Sequence, residues 1–241
     1  MIDLHSHILP GLDDGARSLQ DSREIALRAA AEGVTAIAAT PHVRADYPTR
    51  ASQMEFGVAE VRRHLAAERI AVEVLHGAEI DLAMLWEIPP EDLARLSIGQ
   101  SRKYVLVEFP YRGWPQSLPA GLTHLRRLGM TAMLAHPERN PEVQDRPDRL
   151  EAVVRDGALV QITTASLDGR LGQAASTAAE HLLELGLAHV LASDVHGPHV
   201  RDGGFEDALG HIRSDALRRY LTVDAPAAIV AGEPLPPPPS A

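Results

Sequence analysis

The first fifteen residues, Met1-Ile2-Asp3-Leu4-His5-Ser6-His7-Ile8-Leu9-Pro10-Gly11-Leu12-Asp13-Asp14-Gly15, determine how the rest of the chain is interpreted. The apolar run from Ile2 to Leu4 predicts a buried strand that leads directly into His5 and His7. Two imidazoles spaced two residues apart on an extended backbone project to the same side, so together they can bind one cation. Two neighbouring aspartates follow in a tight turn. A surface histidine pair beside an Asx turn explains this stretch equally well unless later segments bring further ligands to it.

The composition restricts the class of protein. A chain of 241 residues, 45% of them hydrophobic, can bury the core of one large α/β domain. Its net charge of −10 argues against a nucleic-acid-binding or anionic-membrane-binding surface. We find no run of 18 apolar residues and no signal peptide, and we therefore expect a cytoplasmic protein without membrane insertion. The chain has no cysteine, which excludes disulfides, thiolate metal sites and cysteine nucleophiles.

Strand and helix patterns alternate in seven units. The predicted strands cover 2–4, 34–39, 72–75, 104–107, 131–135, 159–162 and 189–192, and the predicted helices cover 18–32, 51–69, 91–96, 118–128, 147–155, 172–185, 204–220 and 225–230. This alternation predicts an α/β fold with a parallel sheet covered by helices. Seven continuously apolar strands favour a distorted, TIM-like (β/α)7 barrel, with an open doubly wound sheet as the alternative. We expect residues 1–232 to form one domain and residues 233–241 a proline-rich tail.

Histidines and acidic residues recur where the predicted strands end. In a parallel barrel these ends lie on one face, where the active site forms. Six of the seven strand ends carry such residues and the first loop adds one more, which gives nine candidate metal ligands: His5, His7, Asp14, His42, Glu79, Glu108, His136, Asp194 and His196. A single residue of this kind is often only a loop cap. Many charges converging on one place require compensation, and cations provide it.

The ligand types indicate the metals and the reaction. Nitrogen and oxygen ligands without sulfur suit Mn²⁺, Fe²⁺, Zn²⁺ or Mg²⁺, although five imidazoles argue against a purely magnesium site. Four carboxylates balance the charge of two divalent cations, and a third cation would make the site attract anions. Glu79 or Asp194 could bridge two metals. Such a cluster suits in-line displacement, most naturally the hydrolysis of a phosphate ester.

Two arginines are candidates for binding the phosphate. Arg139 lies three residues after His136 and Arg201 five residues after His196, and either guanidinium could pair with phosphate oxygens as a bidentate fork. For Arg139 the alternative is a surface salt bridge to a nearby glutamate, Glu138 or Glu142.

Six motifs together resemble the polymerase-and-histidinol-phosphatase (PHP) superfamily: His5-x-His7, Thr40-Pro41-His42, Gly77-Ala78-Glu79, Glu108-Phe109-Pro110, His136-Pro137-Glu138-Arg139 and Ser193-Asp194-x-His196. The opening His-x-His-Ile-Leu-Pro-Gly-x-Asp-Asp-Gly is similar to manganese-dependent bacterial protein-tyrosine phosphatases encoded with capsule and exopolysaccharide genes. The resemblance runs from Met1 to about Phe205. It implies a distorted (β/α)7 barrel with up to three metals on the nine candidate ligands, and Arg139 as a phosphate-binding arginine. It also implies dephosphorylation of tyrosines on a partner bacterial tyrosine kinase.

The chain departs from this family in one loop. Gly197-Pro198-His199 and Gly203-Gly204 stand where the family pattern has Asn and a shorter Arg-x-Phe segment, so the resemblance fixes neither the role of Arg201 nor the substrate specificity. Without cysteine, a tyrosine phosphatase of this sequence would need metal-bound hydroxide to attack phosphorus directly. The alternatives are a small-molecule phosphatase acting on histidinol phosphate or a nucleotide, and a metal-binding regulatory module without activity.

Overall fold

The computed structural model describes residues 1–198 and 204–239. Within these ranges the strands are β1 (Ile2–Ser6), β2 (Ala36–Ala39), β3 (His42–Val43), β4 (Glu73–Leu75), β5 (Glu79–Asp81), β6 (Tyr104–Glu108), β7 (Thr131–Ala135), β8 (Leu159–Thr163) and β9 (Val190–Ala192). The α-helices are α1 (Leu19–Ala31), α2 (Ala51–Ala67), α3 (Pro90–Leu96), α4 (Leu118–Arg127), α5 (Pro141–Asp145), α6 (Leu150–Arg155), α7 (Thr164–Leu167), α8 (Gln173–Glu184), α9 (Phe205–Gly210), α10 (Asp215–Arg219) and α11 (Ala225–Ala231).

The strands form two parallel sheets. The first has the order β1-β2-β4 and the second the order β3-β5-β6-β7-β8-β9. Because β2 pairs with β4 and β3 pairs with β5, the segments β2–β3 and β4–β5 each continue one strand past a short interruption. Proline at position 41 has no amide hydrogen to donate to a neighbouring strand. Next to it, the Thr40 hydroxyl accepts a hydrogen bond from the Ser6 amide. These interruptions explain why the sequence pattern predicts seven strands.

The first and last strands meet at the end that carries His5 and His7. The His7 amide donates to the Val195 carbonyl at 2.9 Å, and the Asp194 amide donates to the His5 carbonyl at 2.8 Å. The buried carboxylate of Asp3 accepts hydrogen bonds from the amide and the hydroxyl of Ser193. Backbone and side-chain bonds therefore connect β1 to the segment that follows β9.

Both faces of the strands are buried. Along β6, Val105 and Val107 belong to the large apolar cluster that includes the helices, whereas Leu106 belongs to a second cluster with Leu4 and Met133 from other strands. This alternation follows from the two-residue repeat of a strand, and burial on both faces is typical of parallel sheets covered by helices. The predicted α/β architecture with parallel strands is therefore confirmed.

Several predicted boundaries are wrong. The single helix predicted for 204–220 is two helices, α9 and α10, because Ser214 caps a new helix by accepting a hydrogen bond from the Leu217 amide. The helix predicted for 147–155 begins as a 3₁₀ turn, Pro147–Arg149. The short elements β3, β5, α5 and α7 have too little periodicity to be predicted.

In the described part of the chain, no helix has both the length and the apolar character needed to cross a bilayer. Residues 233–239 carry no helix or strand. The side chain of Leu235 nevertheless packs against the core, and the Tyr104 hydroxyl donates to the Glu233 carbonyl.

Candidate metal centre

The structure brings all nine candidate ligands together in three groups. In each group one potential ligand atom per residue lies within 4.8 Å of the others. The groups are His7, Asp14, His42 and His196; His5, Glu79, His136 and Asp194; and His42, Glu79 and Glu108. His42 and Glu79 each belong to two groups. Within the described residues the nine side chains therefore form one continuous cluster, which is able to hold metal ions.

The backbone places these side chains in different ways. Glu108 is the last residue of β6, whereas His42 and Glu79 begin the short strands β3 and β5 instead of ending the preceding strands. His136 and Asp194 have left-handed backbones, with φ of 37° and 52°. Non-glycine residues rarely adopt this conformation, and its cost is tolerated where the surrounding structure enforces it, often at functional sites.

Glu79 lies at the middle of the cluster. Its Oε2 atom is 3.2 Å from His5 Nε2, 3.4 Å from His7 Nε2 and 3.1 Å from His42 Nδ1. Its other oxygen, Oε1, is 2.9 Å from His136 Nε2. One fully buried carboxylate thus contacts four imidazoles, which is the arrangement required of a ligand that bridges cations.

Three imidazoles are oriented by hydrogen bonds at Nδ1, so that Nε2 faces the cluster. His7 Nδ1 is 2.7 Å from Asp13 Oδ2, and His5 Nδ1 is 2.9 Å from Gln161 Oε1. His196 Nδ1 is 2.9 Å from the carbonyl oxygen of Asp194. Hydrogen bonds of this kind fix the tautomer and the ring orientation of metal-binding histidines.

Asp13 does more than shape the turn. Its Oδ1 accepts a hydrogen bond from the Gly15 amide, and its Oδ2 accepts from the His42 amide as well as facing His7. Burial alone would raise the pKa of Asp13, but the hydrogen bonds, first of all that to His7, lower it to about 2. Asp13 is therefore ionised at neutral pH and holds the His7 ring.

The pKa shifts of four residues in the cluster favour the protonation states that bind cations. Burial would raise the pKa of Glu79 and Asp194, but the surrounding imidazoles, and Arg139 beside Asp194, hold both pKa values well below their usual range. Burial lowers the pKa of His42 and His136, which favours their neutral, metal-binding form.

Buried polar atoms that lie close to one another without forming hydrogen bonds provide a test of whether metals fit. His42 Nδ1, Glu79 Oε2 and His136 Nδ1 are buried and make no hydrogen bond with the described residues. Buried acceptors are rarely left unsatisfied in proteins. Nitrogen and carboxylate donors in this number suit divalent first-row metals, so the residues present fit such ions.

Arg139 is buried beside the cluster, not on the surface. Its guanidinium is 2.6 Å from Asp194 Oδ2, and its side chain is only 7% exposed. Its Nε is buried and makes no hydrogen bond with the described residues. The alternative of a surface salt bridge to Glu138 or Glu142 is therefore wrong. Arg201 lies outside the described residues.

Two tyrosines stack on imidazoles of the cluster. The Tyr47 ring stacks on His42 at 5.9 Å between centroids, and the Tyr111 ring stacks on His136 at 5.5 Å. The arginine Arg44 contacts both Tyr47 and Glu108, at 5.1 Å from the ring centroid and 3.2 Å from the carboxylate. Burial raises the pKa of Glu108 to about 7.

Sequence reasoning missed the residues that support the ligands. Gln161 was detectable, since it is the one amide in the otherwise apolar or hydroxyl-bearing strand Leu159–Thr163. The contacts of Tyr47, Tyr111 and Arg44 with the cluster carry no comparable signal, because they depend on how separate loops pack.

Comparison with known proteins identifies the family. Residues 1–229 match the family model described as capsular polysaccharide synthesis, CpsB/CapC. The chain belongs to the CpsB/CapC family. Among its relatives is the tyrosine-protein phosphatase YwqE of Bacillus subtilis, 36% identical over 213 residues that cover 87% of this chain and 82% of YwqE. The tyrosine-protein phosphatase CpsB of Streptococcus agalactiae serotype III is 27% identical over 209 residues, covering 83% of this chain and 85% of CpsB.

Solved structures agree with this placement in the CpsB/CapC family. The crystal structures of YwqE from Bacillus subtilis and CpsB from Streptococcus pneumoniae are those of metal-dependent tyrosine phosphatases. A chain from these structures matches with a TM-score of 0.88 and 33% identity, covering 98% of this chain and 96% of that one. An organophosphorus hydrolase variant from Deinococcus radiodurans matches with a TM-score of 0.57 at 14% identity, over 95% of this chain and 92% of that one. This second likeness concerns the fold alone.

Proposed function

We propose that the nine-residue cluster holds two or three divalent cations, with Mn²⁺ the first choice and Fe²⁺, Zn²⁺ or Mg²⁺ the alternatives. The observation that carries this proposal is the sharing of Glu79 and His42 among three ligand groups. As a member of the CpsB/CapC family, whose relatives are tyrosine-protein phosphatases, the chain is a metal-dependent tyrosine phosphatase. Its substrate is a phosphotyrosine protein, which we propose to be a bacterial tyrosine kinase that regulates capsule or exopolysaccharide synthesis.

The proposed scaffold is a distorted (β/α)7 barrel within a single domain of residues 1–232. Three features support closure of the two sheets into one ring: the continuation of β2 into β3, the continuation of β4 into β5, and the hydrogen bonds between β1 and the segment after β9. In such a ring the nine ligands lie at one end, where enzymes of this architecture place their active sites. The cytoplasmic location stays a prediction.

Different residues of the chain have different roles in the proposed hydrolysis. Bound divalent cations supply Lewis-acid polarisation of the phosphoryl oxygens and activation of a water molecule at neutral pH. Asp13 and Gln161 keep His7 and His5 in the tautomer that presents Nε2 to the cluster. The buried guanidinium of Arg139 presents an unsatisfied Nε donor beside Asp194, and we assign it to the charge of the phosphoryl group. Arg201 is proposed for the same charge on its sequence position alone.

Turnover measurements with defined metal content test this proposal. We expect the protein to hydrolyse a phosphotyrosine peptide with Mn²⁺, to lose that activity after exhaustive chelation and to regain it when Mn²⁺ is returned. His136→Ala removes a ligand from the second group and is expected to abolish turnover, whereas His181→Ala changes an exposed helical histidine and serves as the matched control.

Turnover measured on other phosphate esters separates the tyrosine phosphatase from the two alternative functions. Faster turnover of histidinol phosphate or of a nucleotide than of the phosphotyrosine peptide would identify a small-molecule phosphatase. Activity that survives complete removal of metal would refute the metal mechanism, and metal binding without turnover of any phosphate ester would identify a regulatory module.

A further inference from the structure

A cleft beside the metal centre has no part in the account above. It has a volume of about 320 Å³ and lies between the segment after β5 and the loop after β6. Its walls include Leu82, Ala83, Pro110, Tyr111 and Pro115, with Arg44, Asp81, Glu108 and Ser117 as the polar members. This size lies at the lower end of the range for small-ligand pockets and exceeds that of one aromatic ring.

The cleft is continuous with the cluster through two residues. Glu108 lines the cleft and also belongs to the third ligand group, where its Oε2 is 3.8 Å from His42 Nδ1. Tyr111 lines the cleft and stacks on His136 with an angle of 14° between the rings. A ligand with its phosphoryl group at the cluster can therefore extend into the cleft past Glu108 and Tyr111.

The two tyrosines that stack on imidazoles of the cluster differ in their position relative to the cleft. Tyr47 stacks on His42 and is not among the residues that line the cleft. Tyr111 is 43% exposed and forms part of the cleft wall, together with two prolines. Aromatic rings attract one another through stacked or edge-to-face contacts, and an exposed tyrosine ring beside a cavity provides such a surface.

We infer that this cleft binds the leaving group of the reaction, the phenol ring of the phosphotyrosine side chain, with Tyr111 as the residue that contacts it. This inference rests on the proposed function and adds the means by which the site selects aryl over alkyl phosphates. Pro110, Pro115 and Leu82 supply the apolar remainder of the wall, and the space beyond one ring accommodates peptide backbone next to the tyrosine.

Competitive inhibition by two phosphonates tests this inference directly. Phenylphosphonate and methylphosphonate share the group that binds at the cluster and differ in the ring, so the ratio of their inhibition constants isolates the cleft. In the Mn²⁺-loaded wild-type protein we expect phenylphosphonate to inhibit about tenfold more strongly than methylphosphonate. Tyr111→Ala is expected to remove most of this preference, and Tyr111→Phe to keep it within about twofold because the ring remains.

A second variant changes another residue that lines the same cleft. Ala83→Trp places a large ring at an exposed cleft position that is not itself a candidate ligand, and we expect it to weaken inhibition by phenylphosphonate while leaving inhibition by methylphosphonate unchanged. Phe56→Ala removes an aromatic ring that is 63% exposed on α2 and is the matched control, with an unchanged ratio expected. Circular dichroism and bound Mn²⁺ verify that each variant is folded and loaded.

The outcomes separate this inference from the proposed function. A wild-type ratio near one, or a ratio unchanged in either Tyr111→Ala or Ala83→Trp, would overturn the leaving-group cleft while phosphotyrosine turnover stands. A wild-type protein that hydrolyses no phosphotyrosine peptide with any of the four metals would instead overturn the proposed function. Loss of the preference in both cleft variants, with its retention in Tyr111→Phe and Phe56→Ala, supports the cleft.

Discussion

Replacing Asp13 by asparagine tests how far an outer carboxylate controls a metal-binding imidazole. In the structure Asp13 Oδ2 accepts from His7 Nδ1 and from the His42 amide, and Oδ1 accepts from the Gly15 amide. An asparagine has one acceptor and one donor in place of two acceptors. If its oxygen faces His7, its NH₂ group opposes the Gly15 amide. If the amide is reversed, NH₂ opposes the His42 amide, and His7 must give up its Nδ1 proton and carry it on Nε2.

Both orientations have a cost that the structure allows us to estimate. The first leaves a backbone donor of the turn unsatisfied, which costs about 1–3 kcal/mol. The second protonates the nitrogen that faces the cluster and so blocks a ligand position, as expected when a histidine is held in the wrong tautomer. Loss of an outer partner typically weakens metal binding by about 10–100-fold. That range corresponds to about 1.4–2.7 kcal/mol of metal-binding free energy.

The assay is Mn²⁺ binding by calorimetry against a competing chelator, with metal content and phosphotyrosine turnover measured in parallel. We expect Asp13→Asn to weaken the site that contains His7 by about 10–100-fold, and excess Mn²⁺ to restore part of the turnover. Asp215→Asn, at an aspartate whose side chain is 92% exposed on α10, is the control. Wild-type affinity and stoichiometry in Asp13→Asn would refute the role given to this carboxylate.

Three further predictions concern other parts of the molecule. Because Glu79 belongs to two ligand groups and Glu108 to one, Glu79→Gln is expected to lower the bound Mn²⁺ per chain by more than Glu108→Gln does, as measured by elemental analysis. Arg139→Ala is expected to raise the inhibition constant of inorganic phosphate by roughly 10–100-fold, the value of a charged hydrogen bond; an unchanged constant would remove this residue from the phosphate site. Burial lowers the pKa of His189 from 6.5 to about 4. Between these pH values the histidine is mostly protonated in the unfolded chain and mostly neutral in the folded protein. The wild-type protein therefore loses stability relative to His189→Gln as the pH falls from 6.5 towards 4, by at most about 3 kcal/mol. Urea unfolding with excess chelator measures this difference, and parallel pH profiles of the two proteins would contradict it.

Much of the cluster follows from local sequence signals. His5 lies in β1 and His7 directly after it, and Glu108 and His136 come at or directly after the end of buried strands, so parallel packing alone brings them to the same end. The positions of His42 and Glu79 also follow, although each begins a short strand that the pattern does not separate from the one before it. Residue type and strand order carry this information.

The remainder depends on packing between distant loops. The residues around Asp13 predict only an Asx turn. Its contact with the His42 amide depends on how two separate loops approach each other. The burial of Arg139 against Asp194 likewise brings together two loops that are distant in the sequence. Contacts of this kind are set by three-dimensional geometry and leave no periodic trace in the sequence.

The connection between β1 and the segment after β9 has a consequence for biosynthesis. The first ligand group needs His7 and His196 together, and the second needs His5 and Asp194, so each joins residues from opposite ends of the chain. A nascent chain emerging from the ribosome can complete neither group until β9 and the residues after it have been made, and contacts of such sequence separation also form slowly. Completion of these two groups therefore requires that the last strand has reached the first, whereas the third group, His42, Glu79 and Glu108, uses only residues from the first half of the chain.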